Sequence, residues 1–427
     1  MSDAVRPDSV RHSRADGRAR AIDIYIIGLG AVSPLGHGVP ELWQALFRPP
    51  PAPARNAIAG FPDGDASWRH AYARPGELPS APGEALGTFE KMALSAIEEA
   101  CADCECMDDG LAALLDEDLI VGMAIGTAAG DSERAEARRL AGGLDRLADC
   151  NPYRVADDLP RRTGLPLSGP VLTIANACAA SLYALTEAAD LIRVGAADVM
   201  LVVGADLLSR VTQAGFQKMT ALDPDRCRPF DTERNGTVLG EGAAALVLAS
   251  AEVVARLPRS PYCRLLASGT SCDAFHPTAP QPQGRDIRGA VNRALTHAGL
   301  DARQIGLVVP HGTGTPINDR IEGEMLGETF GAAAAALQVM PIKAHLGHSA
   351  GASGAFSVLA AAKALASRRV PPVLYLRELD PMVPLCLHAE AADLRTTACD
   401  DPPRALVSAY GFGGNNLSVV LEGMCDG

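Results

Sequence analysis

Two stretches far apart in the chain follow one plan, and that plan limits what the chain can fold into. TIANACAASLYALTEAADL begins at Thr173, and PIKAHLGHSAGASGAFSVLAAAKAL begins at Pro341. Each reads as a strand, a turn of small residues carrying a reactive side chain, and an Ala-rich helix. In the first, Leu182, Leu185, Ala189 and Ile192 recur at helical spacing. Helices with such short side chains can run through the middle of a molecule. Two such halves packed face to face bring their turns together. The expectation is a duplicated α/β domain with central Ala-rich helices between two sheets.

The remaining segments fit that plan. IDIYIIGLG (22–30), DVMLVVGAD (198–206) and AAALVLAS (243–250) are apolar runs without alternation, as in strands covered on both faces. LIVGMAIGTAAG (119–130) reads as a strand entering a glycine turn, and 89–107 as a helix. After about residue 257 the style repeats. CRLLASGTS is a strand, DIRGAVNRALTHAGL a helix, IGLVVPHGTGTP a strand and loop, and ALVSAYGFGGNNLSVVLEG a closing hairpin. The halves are 22–257 and 258–427. Residues 1–21 hold five Arg and three Asp with few large apolar groups, and read as a disordered tail. Residues 48–88, rich in Pro and Gly, read as a surface excursion. GLGAVSPLG loosely matches a dinucleotide fingerprint, but Pro34 interrupts the helix start and no acidic residue closes a second strand.

Composition excludes several functions. A formal charge of −13 with 4% aromatic residues argues against nucleic-acid binding. No apolar run reads as a membrane span. Eleven cysteines without paired spacing, and no secretion signal, point to free thiols in a reducing cytoplasm. Cys101, Cys104 and Cys106 make half a zinc motif that nothing completes, so no metal is expected.

The reactive candidates stand at turns. Cys178 lies where a strand meets a helix, and the unpaired N–H groups and positive end of that helix favour thiolate over thiol. His311, in HGTGTPINDRIE, follows a buried strand. His348, in KAHLGHSAGASG, follows Lys343 by five residues. His345, two residues from Lys343, is the competing histidine.

These motifs resemble those of the elongating β-ketoacyl-[acyl carrier protein] synthases, type II ketosynthases of the thiolase superfamily. NACAAS, RPFDTERNGTVLGEGAAALVL, HGTGTPINDRIE, KAHLGHSAGASG and AYGFGGNN agree in order and spacing over about residues 22–427. The resemblance implies an α/β thiolase fold: a duplicated, layered αβαβα architecture with two mixed five-stranded sheets and buried central helices. It also implies a decarboxylative condensation. Cys178 takes an acyl group from a carrier's phosphopantetheine thioester. Malonyl carrier protein then loses carbon dioxide and attacks that group, giving a 3-oxoacyl chain two carbons longer. His311 and His348 offer N–H groups to the enolate oxygen; which of them assists loss of the carboxylate stays open. Lys343 orients charge, paired with Glu322, with a plain structural ion pair as the alternative. Phe412 gates the acyl pocket, and its N–H forms an oxyanion hole with that of Cys178. Thr313 and Thr315 hold the pantetheine arm.

By the same resemblance no metal or soluble cofactor is needed, because phosphopantetheine arrives on the acyl carrier protein. The second partner is another subunit, a copy of the chain or a chain-length factor. The alternative function, a non-catalytic chain-length-determining partner, is opposed by the presence of Cys178. The chain departs from the family at three places. Lys91 alone remains of the usual basic run before the helix at 89–107. Arg226 and Arg228 then become the better carrier-docking candidates. Ala129 stands where a larger residue often closes the acyl pocket, which suggests a deeper or wider pocket. Fatty acid and specialised polyketide or polyene synthesis both fit.

Overall fold

The computed structural model describes residues 22–53, 71–72, 87–104, 119–142, 151–394 and 401–425. The expected N-terminal tail, most of the Pro-rich excursion and Cys106 lie outside the described residues. The first half supplies β1 (Ile24–Ser33), α1 (Thr88–Asp103), β2 (Val121–Gly126), β3 (Val171–Ile174), α2 (Ala180–Arg193), β4 (Val199–Asp206) and β5 (Gly242–Ser250). The second supplies β6 (Cys263–Cys272), α3 (Arg285–Ala298), β7 (Leu307–Val309), α4 (Pro316–Phe330), β8 (Gln338–Val339), α5 (Ser353–Ser367), β9 (Arg404–Gly411) and β10 (Asn415–Gly423).

Pairing follows the same order in both halves. β3 pairs parallel with β2, β2 parallel with β4, β4 antiparallel with β5, and β5 antiparallel with β1. β8, β7, β9, β10 and β6 repeat that series of parallel, parallel, antiparallel and antiparallel contacts. β1 also pairs with β6 over three residues, Ile24–Ile26 against Leu265–Cys263. The strands therefore form one hydrogen-bonded path, where two separate five-stranded sheets were expected. Every residue of β4 and β5 is buried, as apolar runs without alternation require when both faces are covered.

α2 and α5 run through the core between the halves. Only small side chains permit this. A Cβ on Gly204 of β4 would lie 2.7 Å from Ser181 Cβ on α2 and 2.8 Å from Ala355 Cβ on α5. The helices are also joined by a hydrogen bond from the Ala355 N–H to Ser181 Oγ, 2.9 Å. Ala350–Ser367 is long and apolar enough, with a mean hydropathy of 1.2, to cross a membrane by composition, contrary to the reading of the sequence. In the fold, 78% of that segment is buried.

The two turns are conformational copies. Ala177–Ala179 and Ala350–Ala352 each form a single 3₁₀ turn leading into a central helix. Each opens on an alanine in the left-handed region, Ala177 at φ 49° and Ala350 at φ 45°. An alanine there is strained and persists only when its surroundings over-determine it. The segment before the second turn differs from expectation. The strand is limited to Gln338–Val339, and Lys343–Leu346 form one helical turn.

Candidate active site

The turn of Ala177–Ala179 follows β3 and places Cys178 in the lining of a cavity of about 340 Å³. Cys178 is buried, and its Sγ lies 3.2 Å from His348 Nε2. On the other side of the same ring, His348 Nδ1 lies 2.9 Å from Ser353 Oγ. The His311 ring stands edge-on to that of His348, with centroids 5.6 Å apart. Three residues from distant parts of the chain thus converge on one cavity.

Two carboxylates on α4 hold His311 there through the backbone. Glu322 accepts from the N–H groups of His311 and Gly312, at 2.7 and 2.8 Å. Asp319 accepts from those of Thr313 and Gly314, both at 2.9 Å, and of Phe230 at 3.0 Å. The loop after β7 is therefore tied to α4 mainly through its backbone, with the Thr313 hydroxyl also donating to Asp319 Oδ1 at 3.3 Å. Lys343 does not make the expected ion pair with Glu322. Its Nζ donates to the His311 carbonyl oxygen at 2.5 Å. All these groups are buried, and burial disfavours charge. It pushes the Glu322 carboxyl up to about 7 and the Lys343 ammonium below its ordinary range, with the attraction of Glu322 opposing the latter. Burial, reinforced by the nearby Lys343 charge, holds both His311 and His348 well below the usual imidazole range. Both rings are neutral at pH 7.

The thiol reverses one expectation from sequence. Burial pushes Cys178 up to about 11, against the favourable charge of Lys343. The helix end does not make it a ready thiolate. The backbone N–H groups of Cys178 and Phe412 lie near the sulfur and favour its thiolate form, though less than burial disfavours it. Phe412 follows β9, and its ring packs 5.6 Å from that of Phe216 on the helix Arg210–Lys218. Close approach needs glycine here: a Cβ on Gly411 would sit 3.0 Å from the Asn176 carbonyl oxygen.

Thr313 and Thr315 line the same cavity, their hydroxyls 2.9 Å apart. Other candidates lie elsewhere. Ala129 is not among the lining residues, and its N–H donates to Asp206 Oδ1 at 3.1 Å. Arg226 pairs with Asp225 at 2.8 Å and stacks over Tyr375. Arg228 pairs with Asp223 at 3.2 Å and Glu233 at 3.6 Å. Lys91 sits in the first turns of α1, away from the cavity lining. His345 is buried outside the lining, and burial takes its ring down to about 4.

Sequence reasoning missed Asp206, Asp319 and Ser353. Asp206 closes β4 and accepts from Thr127 Oγ1 and from the N–H groups of Ala128, Ala129 and Gly351, at 2.7–3.1 Å. A carboxylate ending an otherwise apolar strand was the available signal. Asp319 was legible as the acid three residues before Glu322. Ser353 carries no signal among the small residues around it.

Comparison with known proteins finds two matching family models and several similar chains. Residues 21–253 match the family model "Beta-ketoacyl synthase, N-terminal domain", and residues 262–377 match "Beta-ketoacyl synthase, C-terminal domain". A 3-oxoacyl-[acyl-carrier-protein] synthase 2 of Synechocystis sp. is 30% identical, over 93% of this chain and 97% of that protein. The solved structure of the ishigamide ketosynthase/chain length factor is 29% identical, with a TM-score of 0.82 over 95% of this chain and 100% of that one. A ketosynthase in complex with its chain length factor from Xenorhabdus doucetiae is 26% identical, with a TM-score of 0.77 over 94% of this chain and 98% of that one.

Proposed function

The chain belongs to the beta-ketoacyl synthase family of the thiolase superfamily, and on that premise we propose that it catalyses the decarboxylative condensation of an acyl thioester with malonyl-[acyl carrier protein]. The product is a 3-oxoacyl-[acyl carrier protein]. The observation that carries the reading is the meeting of Cys178 Sγ and His348 Nε2 at 3.2 Å, with His311 beside them, in one buried cavity.

Each group has a task suited to its state. In the first transfer the Cys178 sulfur attacks the acyl carbon, and its proton leaves with the pantetheine thiol. The N–H groups of Cys178 and Phe412 receive the developing oxyanion. Malonyl carrier protein then enters. Its carbon–carboxylate bond breaks, carbon dioxide departs, and the electron pair becomes an enolate. Neutral imidazoles suit the enolate oxygen, because they donate hydrogen bonds without delivering a full proton. The enolate carbon attacks the acyl–Cys178 thioester, and the sulfur leaves as thiolate. Lys343 is the nearby cation that steadies that charge through space.

The partner reading follows the relatives. Two similar structures join a ketosynthase with a chain length factor, and we extend that pairing to this chain. An acyl carrier protein in the cytoplasm supplies both thioesters. Thr313 and Thr315 would hold its pantetheine arm, and Arg226, Arg228 and Lys91 would meet its surface.

Incubation with a set of acyl carrier proteins, followed by intact-protein mass spectrometry, tests the reading. The wild type should gain one acyl group on Cys178, release carbon dioxide from malonyl carrier protein, and yield a chain two carbons longer. Cys178→Ala should gain no acyl group, while His311→Ala and His348→Ala should acylate without elongating. Acylation of the Cys178→Ala variant, or normal elongation by either histidine variant, overturns the assignment.

A further inference from the structure

We propose that Ser353 fixes the tautomer of His348, making Nε2 a hydrogen-bond donor toward the sulfur and the enolate oxygen. This rests on the condensing reading above and settles which role His348 plays within it. The ring has two polar contacts: Nε2 to Cys178 Sγ at 3.2 Å and Nδ1 to Ser353 Oγ at 2.9 Å. A neutral imidazole carries one N–H, so the partner of Nδ1 decides what Nε2 can do. Were Nδ1 protonated, Nε2 would accept and act as a base toward the thiol. With Nδ1 bare, Nε2 donates and acts on anions.

A count of protons separates the two. Ser349 Oγ lies 3.3 Å from Ser353 Oγ, and both residues are buried. In one order Ser349 donates to Ser353, Ser353 donates to His348 Nδ1, and every hydroxyl proton has an acceptor. In the other, His348 Nδ1 donates to Ser353 and Ser353 donates to Ser349. The Ser349 proton is then left without an acceptor among the described residues. The first order leaves over only the Cys178 S–H, a weak donor, whereas an unpaired buried hydroxyl is the costlier arrangement. The first order therefore stands, and Nε2 carries the hydrogen.

Ser353 is well placed to hold this state. It is the first residue of α5, so the helix that runs through the core sets the position of its hydroxyl. The ring itself is fixed by its backbone, whose N–H donates to the Val238 carbonyl oxygen at 2.7 Å. Ser353 is a positioning residue: it touches the imidazole and no reacting atom. Second partners of this kind set ring orientation and tautomer in other histidine sites.

The test uses the full chain, labelled selectively with ¹⁵N-histidine. Two-bond ¹H–¹⁵N correlation distinguishes protonated from bare ring nitrogens, and the His348→Asn spectrum identifies the signals. The wild type should show His348 Nε2 protonated and Nδ1 bare. Ser353→Ala should mix the tautomers and slow release of carbon dioxide from malonyl carrier protein by about 10- to 100-fold, while Cys178 still acylates. Ser353→Thr, which keeps the hydroxyl, should restore both. A wild-type spectrum with Nδ1 protonated overturns the proposal, as does an unchanged tautomer in Ser353→Ala. A donor Nε2 in a wild type that releases no carbon dioxide would instead sink the condensing reading and leave the tautomer assignment standing.

Discussion

At the level of single residues, the charge state of Cys178 is decided by magnitude. Raising a thiol from 9.0 to about 11 disfavours the thiolate by about 3 kcal/mol. A helix N-terminus returns about 0.3–1 kcal/mol, and about 2 kcal/mol at best. Burial wins, and the sequence could not show this because burial belongs to the assembled core. The position of Cys178 was legible from its strand-to-helix context, but its protonation was not. Alkylation by iodoacetamide should therefore accelerate about tenfold per pH unit between pH 7 and 10, since thiolate is scarce throughout that range. A plateau near neutral pH would contradict it. Lys343→Met removes the nearby charge that most favours the thiolate, so alkylation of that variant at pH 8 should be slower than wild type.

At the level of elements, the repeated plan was readable and its hinge was not. The strands at Ile24–Ser33, Val199–Asp206 and Gly242–Ser250 stand close to where apolar runs placed them. The helices after Cys178 and His348 also stand where Ala-rich periodicity put them. Lys343–Leu346 failed as a strand because that segment must turn to carry Lys343 beneath His311, a tertiary demand that local pattern does not record. The close packing of α2 against α5 depends on glycine more than the sequence disclosed. Gly204→Ala would press a methyl into Ser181 and Ala355. It should lower stability by about 1–3 kcal/mol, read as a lower urea midpoint. Gly195→Ala meets no atom within 4 Å but carries φ +73°, so its smaller loss separates backbone strain from collision.

At the level of the whole molecule, buried histidines link folding to pH. His345 holds its proton less tightly in the fold, at about 4, than in the unfolded chain near 6.5. As pH falls from 6.5 toward 4 the unfolded state binds that proton first, so stability is lost across this window. The full effect is on the order of 3 kcal/mol at the acid end. Thermal melts from pH 7 to pH 4 should fall less steeply for His345→Gln than for wild type. Equal slopes would show that the ring titrates normally. The sequence marked His345 as a rival to His348, and only the packing of the halves showed that it lies outside the cavity.

The twin turns put two different residues into one local geometry. Gly351 occupies in the second turn the place that Cys178 takes in the first, and its N–H donates to Asp206 Oδ2 at 2.7 Å. The fold thus makes two cradles for a negatively charged oxygen. One is filled from within by a side chain of the opposite half, which locks the halves together at that point. The other keeps the Cys178 N–H beside a sulfur, so what clasps the halves on one side stands, in the proposed condensation, next to the nucleophile on the other.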